Sequence, residues 1–265
     1  MASSLPQPKS NTGRPSYSNT ELLPGIIKVL RSGMRWRDLD NPFFPSDVTH
    51  WRRLRYWERK LGFIHLLDYV LNLLLGEDIL KPKNVSIDGT LIPSFKFEEL
   101  TSYSGKHHLT GTKVSLTVDS NGLPLSSLLD IGSRHDSPLA LPTIELIPDF
   151  VFEKIDEIFA DKGYVGGFFR EQLSLVGIKA NVPQRGSVIT QPERDKFGEE
   201  YVRKKQRERR KEAQTNHSKR YVVERTNAWI KNNRRLSFRY DYTVLSFKAF
   251  LNLALTVMLV KKLIN

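Results

Sequence analysis

The chain has 265 residues, no cysteine and a formal net charge of +12, from 41 Lys and Arg against 29 Asp and Glu. At roughly 150 residues per domain the length allows one to two domains, and 39% apolar residues exclude disorder throughout. Without cysteine there is no disulfide framework, Cys-ligated zinc, iron–sulfur cluster or thiol catalysis, and the basic balance points to a polyanionic partner, most simply nucleic acid.

Residues 1–18 are polar and rich in Pro, Ser and Asn, and are expected as a flexible tail. They lack the apolar core of a signal peptide. Leu22, Leu23, Ile26, Ile27, Val29 and Leu30 recur near helical period, and Gly33 is a stop signal. A second helix is predicted to open at Ser46 or Asp47, either a good N-cap. It carries Val48, Trp51, Leu54 and Trp57 on one side and Arg52, Arg53, Arg55, Arg59 and Lys60 on the other. A third, strongly apolar helix runs from Phe63 to Leu75 and ends at Gly76. Residues 19–80 thus read as a small all-helical unit. The arginine face of its second helix, Arg52 and Arg55 foremost, is suited to following phosphates and entering a major groove.

From residue 81 the pattern changes. Lys83–Thr90 reads as a short strand with a turn. Val114, Leu116 and Val118 alternate, and Asp119-Ser120-Asn121-Gly122 turns the chain into a second hairpin strand. A helix is predicted from Ser137 to Ile147, a strand ending in a turn over 154–164, a helix from Gly166 to Val176 and a strand over 177–182. The order β, β, β, α, β, α, β predicts an α/β fold, a mixed sheet with helices on it. Residues 183–218 form a basic helical or loop segment; 201–220 alone hold nine basic residues against two glutamates, a net of +7. Such a run is either a solvated face or a phosphate contact. A helix follows from Lys219 to about Asn233. The longest apolar stretch, Val244–Val260, is interrupted by Lys248, Asn252 and Thr256 and is predicted as a core helix, not a membrane span. The chain is expected to be intracellular, with no membrane partner.

Three acidic residues stand out by position. Asp88 closes the strand Asn84–Ile87 and Asp161 closes the strand Asp156–Ala160, each with a glycine soon after it. Ligands of open sheets gather where strands end and the chain turns away, although Asp-Gly is also ordinary turn chemistry. The third is Glu224. On its helix Arg220, Glu224, Asn227 and Lys231 fall within about 60° of one another, opposite Val222, Val223, Thr226, Trp229 and Ile230. Taken alone, that face is equally a surface i,i+4 salt bridge. Together the three carboxylates offer an all-oxygen site suited to Mg²⁺ or Mn²⁺, and two such ions clamp an in-line phosphoryl displacement. Asp119 reads as a turn residue. Asp130 and Asp136 are decoys or site-edge groups, and His107 and His108, beside Tyr103 and Lys106, lie in a polar loop.

These residues carry a resemblance. The segments SIDGTLI, GTKVSLTVDSNGLPLSSLLDIGSRHDSPLALPTI, FADKGY and RYVVERTNAWIKNNRRL are similar to DDE transposases of bacterial insertion sequences, the IS-five/IS-four group, and the likeness runs over about residues 14–262. Arg220, Glu224 and Lys231 match that group's Arg-x3-Glu-x6-Lys signature; His217 stands where a tyrosine usually opens it. The resemblance implies a ribonuclease-H-like catalytic core over 81–265, with Asp88, Asp161 and Glu224 as ligands of two Mg²⁺ or Mn²⁺ ions. It implies Arg220 and Lys231 on the DNA, and binding of the element's terminal inverted repeats and of target DNA. It further implies a homodimer or larger synaptic complex, and a cytoplasmic, nucleoid-associated location. A metal-dependent nuclease and a catalytically silent, transposase-derived DNA-binding protein are the alternatives.

Overall fold

The computed structural model describes residues 1–9, 15–39, 44–96, 98–164, 167–183 and 191–264. Residues 40–43 ahead of the second helix, Gly166, where a helix is expected to begin, and residues 184–190 of the basic segment lie outside the described residues.

Three helices come first. Helix α1 (Asn19–Ser32) starts at a reciprocal capping box between Ser18 and Glu21 and stops at Gly33, whose φ of 70° a side chain resists. Helix α2 (Asp47–Arg59) is capped by Ser46, and α3 (Gly62–Gly76) follows after one tight turn. The buried side of α2 matches the expected one at Leu54 and Trp57 but departs from it elsewhere. His50, Arg53, Leu54, Trp57 and Glu58 face inward, while Val48 is exposed. Arg53 is drawn in because its guanidinium finds partners there: Nη1 donates to Asn19 Oδ1 at 2.6 Å and Nη2 to the Tyr17 carbonyl at 2.9 Å. Residues expected as a loose tail lie on this unit, with Leu5 buried and the Pro6 carbonyl accepting from Trp57 Nε1.

The sheet follows. Its strands are β1 (Asn84–Pro93), β2 (Ser102–Ser104), β3 (Leu109–Val118), β4 (Pro124–Ile131), β5 (Glu157–Phe159) and β6 (Lys179–Asn181). The order is β2-β3-β1-β5-β6, with β4 paired to β3 beside β2. β1 is antiparallel to β3 and parallel to β5, and β5 is parallel to β6. Short helices α4 (Ala140–Ile144) and α5 (Asp149–Phe152) lead from β4 to β5, and α6 (Gly167–Leu175) joins β5 to β6. This mixed sheet with its helices fits a ribonuclease-H-like core. The β1 strand is longer than its sequence reads: Asp88-Gly89 is no turn, because the ladder to β3 continues from Ser86 through Pro93.

Helix α7 (Gln191–Lys231) unites the basic run with the helix expected to start at Lys219; Gly198, at φ 75° and ψ 171°, breaks its helical geometry near the start. Helices α8 (Arg234–Ser237) and α9 (Val244–Ile264) close the chain. α9 is long and apolar enough to cross a membrane, but it packs on α2, α3 and β4 and is mostly buried. One apolar cluster runs from Leu5 through the sheet to Leu259. The N-terminal helices therefore share their core with the C-terminus. At the α2–α9 contact the buried Glu58 accepts from Asn252 Nδ2 at 3.1 and 3.2 Å.

Candidate functional site

The parallel register sets two acidic residues side by side. Ser86 on β1 pairs with Phe159 on β5, so Asp88 and Asp161 each sit two residues beyond the pair. Helix α7 lies across this end of the sheet. Asn216 Nδ2 donates to the Asn181 carbonyl at 2.6 Å, and the Lys219 carbonyl accepts from Ser86 Oγ at 3.0 Å. Further along, the β3–β4 turn clasps the helix: Arg225 donates to the Asn121 carbonyl and Thr226 to the Gly122 carbonyl, both at 2.7 Å. This turn is built by Asp119, fully buried and accepting from the amides of Lys81, Asn121 and Leu123. Asp119 is thus a turn residue.

So fixed, α7 directs Arg220 into the acidic cluster. Its guanidinium lies 3.9 Å from Asp88 Oδ1, 3.5 Å from Asp161 Oδ1 and 3.4 Å from Glu224 Oε1. The arginine side chain is only 11% exposed, against 23% for Asp88, 41% for Asp161 and 42% for Glu224. Burial pushes the Asp88 carboxyl up to about 6, with Asp136 and Glu224 adding to the rise and Arg220 opposing it. Lys231 ends the same helix face, within electrostatic reach of Asp88, and burial holds its ammonium below its ordinary value. Asn227, between them on that face, is buried, and neither atom of its amide has a hydrogen-bond partner among the described residues. The expected opposing stripe is buried at Val223, Thr226 and Ile230, with Val222 and Trp229 half-buried against the core.

A second layer was only partly legible. Asp136 makes no cap on the turn after it; its Oδ1 accepts from the buried Lys113 Nζ at 2.8 Å, and Lys106 Nζ stands 3.9 Å from Oδ2. Gly89 exists for this contact: a Cβ there would strike Asp136 Oδ1. His107 lies near the same group, held below its usual range first by burial and then by Lys106 and Lys113. His108 is exposed, 3.4 Å from the Tyr103 hydroxyl, and Asp130 pairs with Arg134 outside the cluster. Tyr164 was not singled out by sequence reasoning. Its hydroxyl is buried without a partner among the described residues, which ordinarily costs about 1–3 kcal/mol. His217 is exposed on α7.

Three carboxylates from three elements, with the Asp88 carboxyl raised by burial, form a hard-oxygen donor set around the Arg220 guanidinium. That chemistry fits a divalent cation. Among the described residues, no three acidic or histidine side chains close on a single metal position; in the trio Arg220 stands between them.

A second basic feature lies on α2. Trp51, Arg52, Arg55, Tyr56 and Arg59 line a groove of about 610 Å³ with Pro8 and Thr49. The Arg55 guanidinium stacks 4.6 Å over the Trp51 ring, while Arg52 is exposed.

An acidic cluster drawn from the middle of β1, the segment after β5 and helix α7, on a mixed sheet with helices, fits the class of DDE-type cores. Residues 80–259, about two thirds of the chain, match the transposase DDE domain family. The chain belongs to that family, and residues 1–66 match a second, described as a putative transposase of the IS4/5 family. It is 29% identical over 149 residues to a putative transposase for insertion sequence element IS402 of Burkholderia cepacia, covering 54% of this chain and 60% of that protein. It is 38% identical over 93 residues to an uncharacterized 16.2 kDa protein of insertion element IS402 of the same organism, covering 33% of this chain and 63% of that protein. The matches thus span under two thirds of these curated relatives. No solved structure matches.

Proposed function

We propose that this chain is the transposase of an insertion sequence. It binds the element's terminal inverted repeats, hydrolyses a phosphodiester bond at each end to free a 3′-hydroxyl, and joins that hydroxyl to target DNA. The observation that carries the reading is the convergence of Asp88, Asp161 and Glu224 around Arg220. In this reading the three carboxylates hold two Mg²⁺ or Mn²⁺ ions. When bound, such ions activate the attacking oxygen and stabilise the leaving one. The chain's own residues position the DNA: Arg220 and Lys231 hold phosphates in line from the same helix face. In hydrolysis, water attacks phosphorus and the 3′-oxygen leaves with a proton. In joining, that 3′-hydroxyl attacks a target phosphodiester and displaces a target 3′-oxygen. One bond forms as one breaks, so no energy source is consumed. Two ends held together call for a dimer or larger synaptic complex.

The test uses the full chain, because α1–α3 share their core with α9. With linear DNA ending in the element's repeats, a plasmid target and Mg²⁺, joined products are expected. Cleavage without joining would instead identify a nuclease, and DNA binding without cleavage a silent relative.

The α2 groove is proposed as the repeat-binding element, through Arg52 and Arg55. Replacing either with Ala should weaken binding to repeat DNA and reduce the slope of log affinity against log salt by about one unit per lost phosphate contact. Fluorescence anisotropy across a salt series measures both. Unchanged slopes would place repeat binding elsewhere, with the basic run 201–220 next in line.

A further inference from the structure

Helix α7 is not held along its whole length. Asn216, Lys219, Arg225 and Thr226 tie its C-terminal part to the sheet and the β3–β4 turn, and Val202 is buried nearer its start. Between these anchors residues 203–215 are exposed at every position. An ordinary surface helix turns an apolar stripe to the core; this stretch has only Ala213 to offer. Ion pairs along the helix do not replace that packing. Among the described residues the stretch forms one, from Lys205 Nζ to Glu208 Oε2 at 3.8 Å. Its charge is nearly one-signed: residues 203–212 hold seven Lys and Arg against Glu208 and Glu212, a net of +5. At about 100° per residue the seven cations spread over about 260° of the circumference, and the two glutamates share the gap. A rod that is cationic almost all round fits a duplex, because a helix in a major groove about 12 Å wide meets phosphates of both strands. The rod also points at the acids. Arg209 stands about three turns, or about 16 Å, before Arg220 and returns to the same side of the helix.

We propose that residues 203–215 of α7 are a clamp that grips duplex DNA without regard to sequence, and that the duplex it holds is target DNA. Long flexible cations meet phosphates, and phosphate contacts carry no sequence information. Element ends must be read, whereas a target of any sequence need only be held. Because the clamp and Arg220 belong to one helix, unbroken past Gly198, a duplex on the clamp is led to the acidic cluster. The assignment to target DNA rests on the reading of the chain as a transposase; the grip on duplex DNA does not.

The experiment uses the full chain in chelator and follows the anisotropy of a labelled random-sequence duplex across a salt series, with repeat DNA beside it. Arg207→Ala, Arg209→Ala, Arg210→Ala and Lys211→Ala, combined in one variant, should weaken random-duplex binding at least about 100-fold at low salt. The salt slope should fall by about two to four units, roughly one per lost phosphate contact. The loss on repeat DNA should be smaller, and the melting temperature should not fall, because no packing contact is removed. Glu208→Gln with Glu212→Gln should act in reverse and tighten random-duplex binding about 3–10-fold, a gain that misfolding does not mimic. With pre-cleaved element ends and Mg²⁺, the four-site Ala variant should join slowly to a plasmid target, and the deficit should close as plasmid concentration rises. Unchanged random-duplex affinity and slope in that variant, or no gain in the Gln pair, overturns the clamp. An equal loss on repeat and random DNA, or a joining deficit that saturating plasmid leaves in place, overturns the assignment to target DNA. If the unsubstituted chain joins no ends at all, the transposase reading has failed, while the binding series still decides the clamp.

Discussion

Asp88→Asn, Asp161→Asn and Glu224→Gln should each abolish cleavage and joining of element ends while leaving DNA binding in place. Each change is nearly isosteric and removes one charged oxygen from a shared site. Asp88 comes from β1, Asp161 from the segment after β5 and Glu224 from α7, so none has a neighbour on its own element to replace it. The expected loss is at least about 1,000-fold in rate, or roughly 4 kcal/mol of barrier. Because the three act as one unit, a double variant should be little worse than a single one. Gel assays of end cleavage in Mg²⁺ give the rates, and anisotropy with repeat DNA confirms that binding persists. A single variant retaining near-normal cleavage would strike that residue from the site.

The sequence made much of this legible because the informative signals were local. Ser18 with Glu21, Ser46 and Gly33 mark helix ends through their own backbones, and Asp119-Ser120-Asn121-Gly122 encodes its hairpin within a few residues. The features that escaped are those settled by distant partners. Asp88-Gly89 reads locally as a turn; only the ladder to β3 and the approach of Asp136 show that it is mid-strand with a glycine kept bare. Arg53 reads as one more cation on a basic face, and its burial depends on Asn19 and Tyr17, more than thirty residues away. The basic run and the Glu224 helix read as two elements because 201–220 has no apolar period, yet they are one helix past Gly198. Tyr164 gave no signal because a tyrosine after Lys-Gly is unremarkable until its hydroxyl is found buried and unpartnered.

Arg220 decides between two pictures of that helix. As a surface cation bonded to Glu224 four residues on, it would contribute at most about 1 kcal/mol and nothing to chemistry. The structure instead buries it among all three acids, where it opposes the rise in the Asp88 carboxyl. Arg220→Ala should therefore slow joining at least about 10-fold, or ~1.4 kcal/mol of barrier, and Lys231→Ala should do the same from the end of that face. Two of the arginine's partners are substantially exposed, so its melting temperature should shift by no more than about 4 °C near neutral pH. The substitution also leaves a pH signature in chelator. Asp88 is held at about 6 in the fold, above an ordinary aspartate near ~3.9. Its native state thus keeps a proton that the unfolded chain releases. The stability this contributes is complete below about pH 4 and is lost as pH rises through about 6. Without Arg220 the carboxyl climbs further, so the melting temperature should fall more steeply in Arg220→Ala than in the unsubstituted chain between about pH 5 and 7. Parallel melting curves across that range, with normal joining in both Arg220→Ala and Lys231→Ala, would return these two residues to a solvated face and leave Glu224 alone on α7.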